Sequence, residues 1–145
     1  MLALSTSFNY ALRALSVLEK GETETTFVKD LAKAADVPAP YLAKIFTRLA
    51  TAGLIEAKRG WKGGNRLTRP ADEITLFDLA EALEEDRWLD TCLLGQEECT
   101  DRRACPTHEF WKVERRRIAN QLRETTLAEA IVFEQQRKDK AAKKA

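Results

Sequence analysis

Between Thr26 and Thr68 the order of apolar residues and chain-breakers leaves few folds open. Thr26 can cap a segment in which Val28, Leu31, Ala32 and Ala35 share one face. Asp36-Val37-Pro38 then turns the chain. Pro40 sits where a first-turn proline is tolerated, and Leu42, Ile45, Phe46 and Leu49 form the stripe of a further helix that Gly53 ends. Two strand-like runs follow, Leu54 to Arg59 and Asn65 to Thr68, around the glycine-rich turn Gly60-Trp61-Lys62-Gly63-Gly64. Two short helices, a tight turn and a hairpin are the parts of a winged helix-turn-helix.

The face of the second of these helices opposite its apolar stripe carries Tyr41, Lys44, Arg48 and Thr51. An ordinary amphipathic surface helix shares that split, but a recognition helix requires it, with long hydrogen-bonding side chains aimed at the major groove. The hairpin adds Lys58, Arg59, Lys62 and Arg66, with Trp61 at its tip. A basic hairpin directly after such a helix is placed to reach phosphates or the minor groove. No helix opens after the glycines and no GK[ST] is present, which argues against a nucleotide-phosphate cradle.

Flanking segments read as helices. Phe8, Ala11, Leu12, Leu15 and Leu18 follow a Ser5-Thr6-Ser7 start, with Gly21 as the stop. Thr75-x-x-Asp78 has the spacing of a capping box before Leu76, Leu79, Ala80 and Leu83. That helix runs into Glu84-Glu85-Asp86, read as acids facing solvent rather than as catalytic carboxylates. A long helix is expected from about Thr107 to Glu124, with Phe110, Trp111, Glu114, Ile118 and Leu122 near one face. Such a stripe outside a small winged domain calls for a twin subunit, or for docking onto its own chain. Thr126-x-x-Glu129 opens a last short helix, and 135–145 reads as a basic tail that frays. The expected architecture is mostly α: a winged helix-turn-helix over 1–70, a ligand loop with dimerisation helices over 71–134, and the tail over 135–145.

The chain's three cysteines and only histidine fall within seventeen residues, as Cys92-x6-Cys99-x5-Cys105-x2-His108. The stretch between is polar and turn-rich, so core packing explains the thiols badly. Thiolates with imidazole are a donor set for zinc or an iron-sulfur centre. A redox-active dithiol and inert thiols are the other readings. The signature Cys-x-x-Cys of thiol oxidoreductases is missing.

A length of 145 residues suits one compact unit with a helical arm. No apolar leader and no membrane-spanning run occur, which points to a cytosolic chain whose cysteines bind metal more readily than they cross-link. The net charge of +1 hides a segregation: 29–69 carries +6, 72–101 carries −10, and 102–145 carries +6. The first basic block covers the helix-turn-helix and hairpin, and makes a polyanion the natural partner.

Taken together, LSTSFNYALRAL, PAPYLAKIFTRLATAGLI, RGWKGGNRL, ITLFDLAEAL, the three-cysteine loop and TLAEAI resemble, in order and spacing, the Rrf family of winged-helix regulators of the IscR and NsrR kind. The resemblance covers nearly all of residues 2 to 133. It implies a homodimer that binds double-stranded operator DNA under the control of an iron-sulfur cluster responding to iron, redox state or nitric oxide. It implies that Cys92, Cys99 and Cys105 are the cluster thiolates, that His108 completes a two-iron site, that Tyr41, Lys44 and Arg48 face bases or phosphates, and that Arg59 and the wing grip the backbone or minor groove. Two positions depart from the family: the first cysteine spacer has six residues where five are common, and Asn65 stands where an aromatic or aliphatic residue is usual. Four-iron members take a carboxylate from the partner's first helix; Asn9 aligns there, which favours the two-iron form over the four-iron one. A structural zinc held by the same four residues is the alternative.

Overall fold

The structure, a computed structural model, describes residues 3–20, 26–61, 63–84, 88–96, 98–103 and 105–145. Gly21, Lys62 and the pair Glu85-Asp86, all singled out above, lie outside the described residues.

Among the described residues, six helices and one hairpin follow in chain order: α1 (Thr6–Lys20), α2 (Val28–Ala35), α3 (Ala39–Thr51), β1 (Ile55–Lys58), β2 (Gly64–Leu67), a 3-10 turn (Ala71–Glu73), α4 (Leu76–Leu83), α5 (His108–Glu124) and α6 (Leu127–Lys144). Helix α1 starts as read: the Ser5 hydroxyl accepts the Phe8 N–H at 3.2 Å. Asp36 closes α2 in the left-handed region at φ 53°, and Gly53 closes α3 at φ 75°. Strands β1 and β2 pair antiparallel from Ile55↔Leu67 to Lys58↔Gly64, which makes the wing.

Thr26 does not cap α2. Phe27 occupies that position without a side-chain cap, and Thr26 turns to the wing instead. Its carbonyl accepts both the backbone N–H of Asn65 at 3.1 Å and Asn65 Nδ2 at 2.9 Å. A Cβ on Gly64, whose φ is +118°, would lie 2.0 Å from Thr26 Oγ1. Asn65 is thus a buried anchor of the wing, which accounts for a polar residue at a position where an apolar one is expected.

Both capping boxes form, and they meet. Thr75 and Thr126 cap α4 and α6, and the same two residues are partners in an isolated antiparallel bridge. Leu127 N–H donates to Ile74 C=O at 2.7 Å and Leu76 N–H to Thr125 C=O at 2.9 Å, so the starts of α4 and α6 are pinned together. Leu15, Leu31, Leu42, Leu49, Ile74, Leu79 and Leu127 are fully buried in one core that runs across residue 70. Helix α6 lies along α1 and continues to Lys144 where the sequence suggests a fraying tail. Ala, Lys, Gln and Arg are strong helix formers, so the helix propagates past its last buried residue, Glu134, without a core to hold it.

Candidate metal centre and nucleic-acid interface

The loop between α4 and α5 is seated on the first half of α5. Trp111, 7% exposed, donates its Nε1–H to the Thr91 carbonyl at 2.8 Å, and Arg115 Nη1 donates to the Leu89 carbonyl at 3.5 Å. Within the loop, Thr91 bridges Glu98, and the Cys99 N–H donates to the Asp90 carbonyl at 2.8 Å. The Cys105 carbonyl accepts from the His108 N–H at 3.1 Å, so the last thiolate and the imidazole enter α5 as one turn.

These bonds gather the four soft donors into two pairs. Cys92 Sγ lies 3.9 Å from Cys105 Sγ, and Cys99 Sγ lies 3.1 Å from His108 Nδ1. Cys92 and His108 are buried, while Cys99 and Cys105 are half-buried. The far side of the imidazole is held as well: His108 Nε2 lies 2.8 Å from Asp101 Oδ1, which also accepts from Lys112 Nζ at 2.8 Å. In the tautomer that donates Nε2–H to Asp101, Nδ1 keeps its lone pair toward Cys99, the carboxylate–histidine arrangement seen behind metal-bound imidazoles. Lys112, then His108, hold the Asp101 carboxyl down at about 2. The Thr107 hydroxyl and N–H, with Cys92 and Arg103 adding, hold the Cys105 thiol below its ordinary value, which favours the thiolate a metal requires.

Two donor pairs match a two-iron cluster, in which each iron takes two protein ligands. One tetrahedral zinc would need all four donors within about 4 Å of one another. The trio that keeps one ligand atom each within 4.8 Å, among the described residues, is Asp101, His108 and Glu109, without any thiolate. Lys112 already occupies the Asp101 carboxylate of that trio.

Helix α3 presents its polar face to solvent. Tyr41 is 62% exposed and Lys44 is exposed. Trp61 at the wing tip is 88% exposed, Arg59 is exposed, and Arg66 on β2 pairs with Glu56 on β1. Arg48 is exposed on the same face, and its Nη2 also donates to the Glu84 carbonyl at 3.0 Å, at the end of α4.

Sequence reading missed Glu84. Instead of facing solvent it is 5% exposed, and Oε1 accepts the Ser5 N–H at 3.0 Å and the Ser5 hydroxyl at 2.7 Å. A run of three acids ordinarily marks a solvated surface, and nothing local announces a partner 79 positions away. Asp101 was missed for a similar reason, since its partners lie seven and eleven residues on.

Residues 4–132 match the family model Rrf2, described as an iron-dependent transcriptional regulator. The chain belongs to the Rrf2 family. The HTH-type transcriptional regulator IscR of Serratia proteamaculans is 30% identical over 129 residues, 88% of this chain and 78% of that protein. IscR of Cereibacter sphaeroides is 40% identical over 85 residues, 57% of this chain and 55% of its own length. Among solved structures, CymR, the global cysteine regulator of B. subtilis, superposes with a TM-score of 0.72 at 28% identity, covering 92% of this chain and 98% of that one. T. potens IscR gives 0.69 at 25% identity, covering 91% and 88%. As an Rrf2-family protein the chain is a DNA-binding transcriptional regulator with a winged helix, not an enzyme. No helix among the described residues is long and apolar enough to cross a membrane.

Proposed function

We propose that this Rrf2-family chain is a homodimeric regulator whose affinity for double-stranded operator DNA is set by an iron-sulfur cluster of the two-iron type, held by Cys92, Cys99, Cys105 and His108. The observation that carries this reading is the sorting of the four donors into a 3.9 Å sulfur pair and a 3.1 Å sulfur–imidazole pair on one loop. A cluster bound there would supply a centre whose integrity follows iron supply, redox state or nitric oxide. The chain's own residues supply the rest. Asp101 and Lys112 fix the His108 ring, Thr107 favours the Cys105 thiolate, and Trp111 and Arg115 hold the loop to α5. Without a common centre, the loop would keep only its hydrogen bonds to α5 and within itself.

For the DNA, α3 enters the major groove with Tyr41 and Lys44 toward the bases, and Arg59, Trp61, Lys62 and Arg66 bring the wing to the backbone or minor groove. The exposed Phe110 and Val113 on α5 serve the twin subunit.

Protein purified without oxygen should be coloured, with visible charge-transfer absorption and iron and sulfide in equal amounts, and Cys99→Ser should abolish the colour. Loaded and cluster-free forms should shift operator DNA with different affinity. A colourless preparation with one zinc per chain overturns the cluster. The 3.9 Å approach of Cys92 to Cys105, together with the likeness to a cysteine regulator, favours a second reading in which these two thiols form a disulfide under oxidation. A colourless, metal-free protein that loses two free thiols on mild oxidation supports that one.

A further inference from the structure

Glu84 stands at a crossing of three elements. It is the C-cap of α4, with its N–H donated to the Ala80 carbonyl at 2.8 Å, and it leads into the ligand loop. Its buried carboxylate takes both polar hydrogens of Ser5, and the Ser5 hydroxyl oxygen in turn accepts the Phe8 N–H in the first turn of α1. Its carbonyl takes the guanidinium of Arg48, on α3. Arg48, Glu84 and Cys92 also line one cleft of about 680 Å³, walled as well by the start of the chain and by α5.

We propose that Glu84 and Arg48 are positioning residues that carry the state of the ligand loop to the recognition helix. This rests on the cluster reading above. The carboxyl group does not leave its site readily, because a buried polar group separated from its hydrogen-bond donors is left unsatisfied. The Ser5 contact therefore fixes the side chain to the α1 frame, and the Glu84 carbonyl is the group left to respond to the loop. When the loop is ordered around its centre, the Glu84 carbonyl points at Arg48 and holds α3 by its outward-facing side. When the loop lets go, the carbonyl rotates away, Arg48 is released from its tether, and α3 changes its seating in the groove. Helix α4 itself stays pinned by the Thr75–Thr126 bridge at its other end, so movement is confined to its loop-side terminus.

The role separates cleanly from simple DNA contact. An Arg48 that only touched phosphate would, when replaced, lower the affinity of loaded and cluster-free protein alike. An Arg48 that reports the loop changes the ratio between them. Operator affinity of both forms should be measured for full-length wild type, Arg48→Met and Glu84→Ala, with visible absorption recorded for each. We expect a wild-type ratio within the roughly 5- to 150-fold range of ordinary couplings. In each variant it should fall below about 3-fold while the absorption of the loaded form persists. If both variants keep the wild-type ratio with intact colour, the relay is wrong and the cluster reading stands. If wild type has no colour, or equal affinity in both forms, the cluster reading fails and the relay with it. Should Arg48→Met not fold, Glu84→Ala addresses the same link from the other side.

Discussion

Glu134 shows how a single buried charge is kept in this chain. It is 2% exposed on α6, and its carboxylate receives Arg137 as a fork, Nε at 2.9 Å and Nη2 at 2.6 Å. Arg137, helped by Lys138 and Arg13, holds the carboxyl below its usual value against the opposing effect of burial. A folded-state value below the unfolded one means stability that is complete above about pH 4.5 and is lost as the pH falls through the folded value. Glu134→Gln should therefore cost about 1–3 kcal/mol at pH 7. Its deficit against wild type should shrink as urea unfolding is repeated from pH 5 downward. A deficit that stays constant with pH would mean that the fork contributes nothing through charge. At this scale the sequence exposes some residues and hides others. Cys92, Cys99, Cys105 and His108 are legible because rare donor types close together need no distant partner to be noticed. Glu84 and Asp101 are not, because what distinguishes a gripped acid from a solvated one there is a distant partner; Glu134 has its partner three residues on, and what hides it is its burial in the fold.

At the level of elements, legibility follows locality. The capping boxes at Thr75 and Thr126, the left-handed stop at Gly53 and the hairpin turn depend on residues within four positions, and all form. The Thr26 cap fails because a longer-range demand wins: its carbonyl and side chain are used to seat the wing. That seating gives the wing a testable hinge. An alanine at position 64 would need a φ of +118° and would place Cβ 2.0 Å from Thr26 Oγ1, so Gly64→Ala must push β2 away from the residue before α2. Helical circular dichroism should stay near wild type, since no helix is touched. DNA affinity should fall about equally for different operator sequences, and the salt slope should drop by roughly one unit for each phosphate that the wing no longer reaches. An unchanged salt slope would show that the wing is not a backbone grip. The length of α6 is the opposite case: strong local propensity extends it through residues that bury almost nothing, whereas the absence of an apolar stripe suggests fraying.

For the whole molecule, the proposed homodimer requires a face on which two copies could meet to share one DNA site. Helix α5 has seventeen residues, about 25 Å at the usual rise, and after Trp111 and Ala119 turn inward it leaves Phe110, Val113 and Ile118 exposed at 61%, 46% and 38%. On a helical projection these three fall within one broad face, with the Glu114–Arg117 ion pair between them. Three large apolar side chains around a paired charge make a self-complementary strip, which an isologous two-fold contact covers and a monomer leaves in water. Phe110→Glu combined with Val113→Glu puts unpaired carboxylates into that strip without touching the core, the loop donors or the DNA-facing residues. Sedimentation should then give monomers at concentrations where wild type is dimeric, with the colour of the cluster retained. Two-fold DNA sites place their half-sites about 34–36 Å apart, and only a dimer holds two recognition helices at that span. The double variant should accordingly lose far more affinity for a two-half-site duplex than for a single half-site. If it stays dimeric, the subunits meet on another face; if both duplexes lose affinity equally, α5 does not set the spacing of the recognition helices.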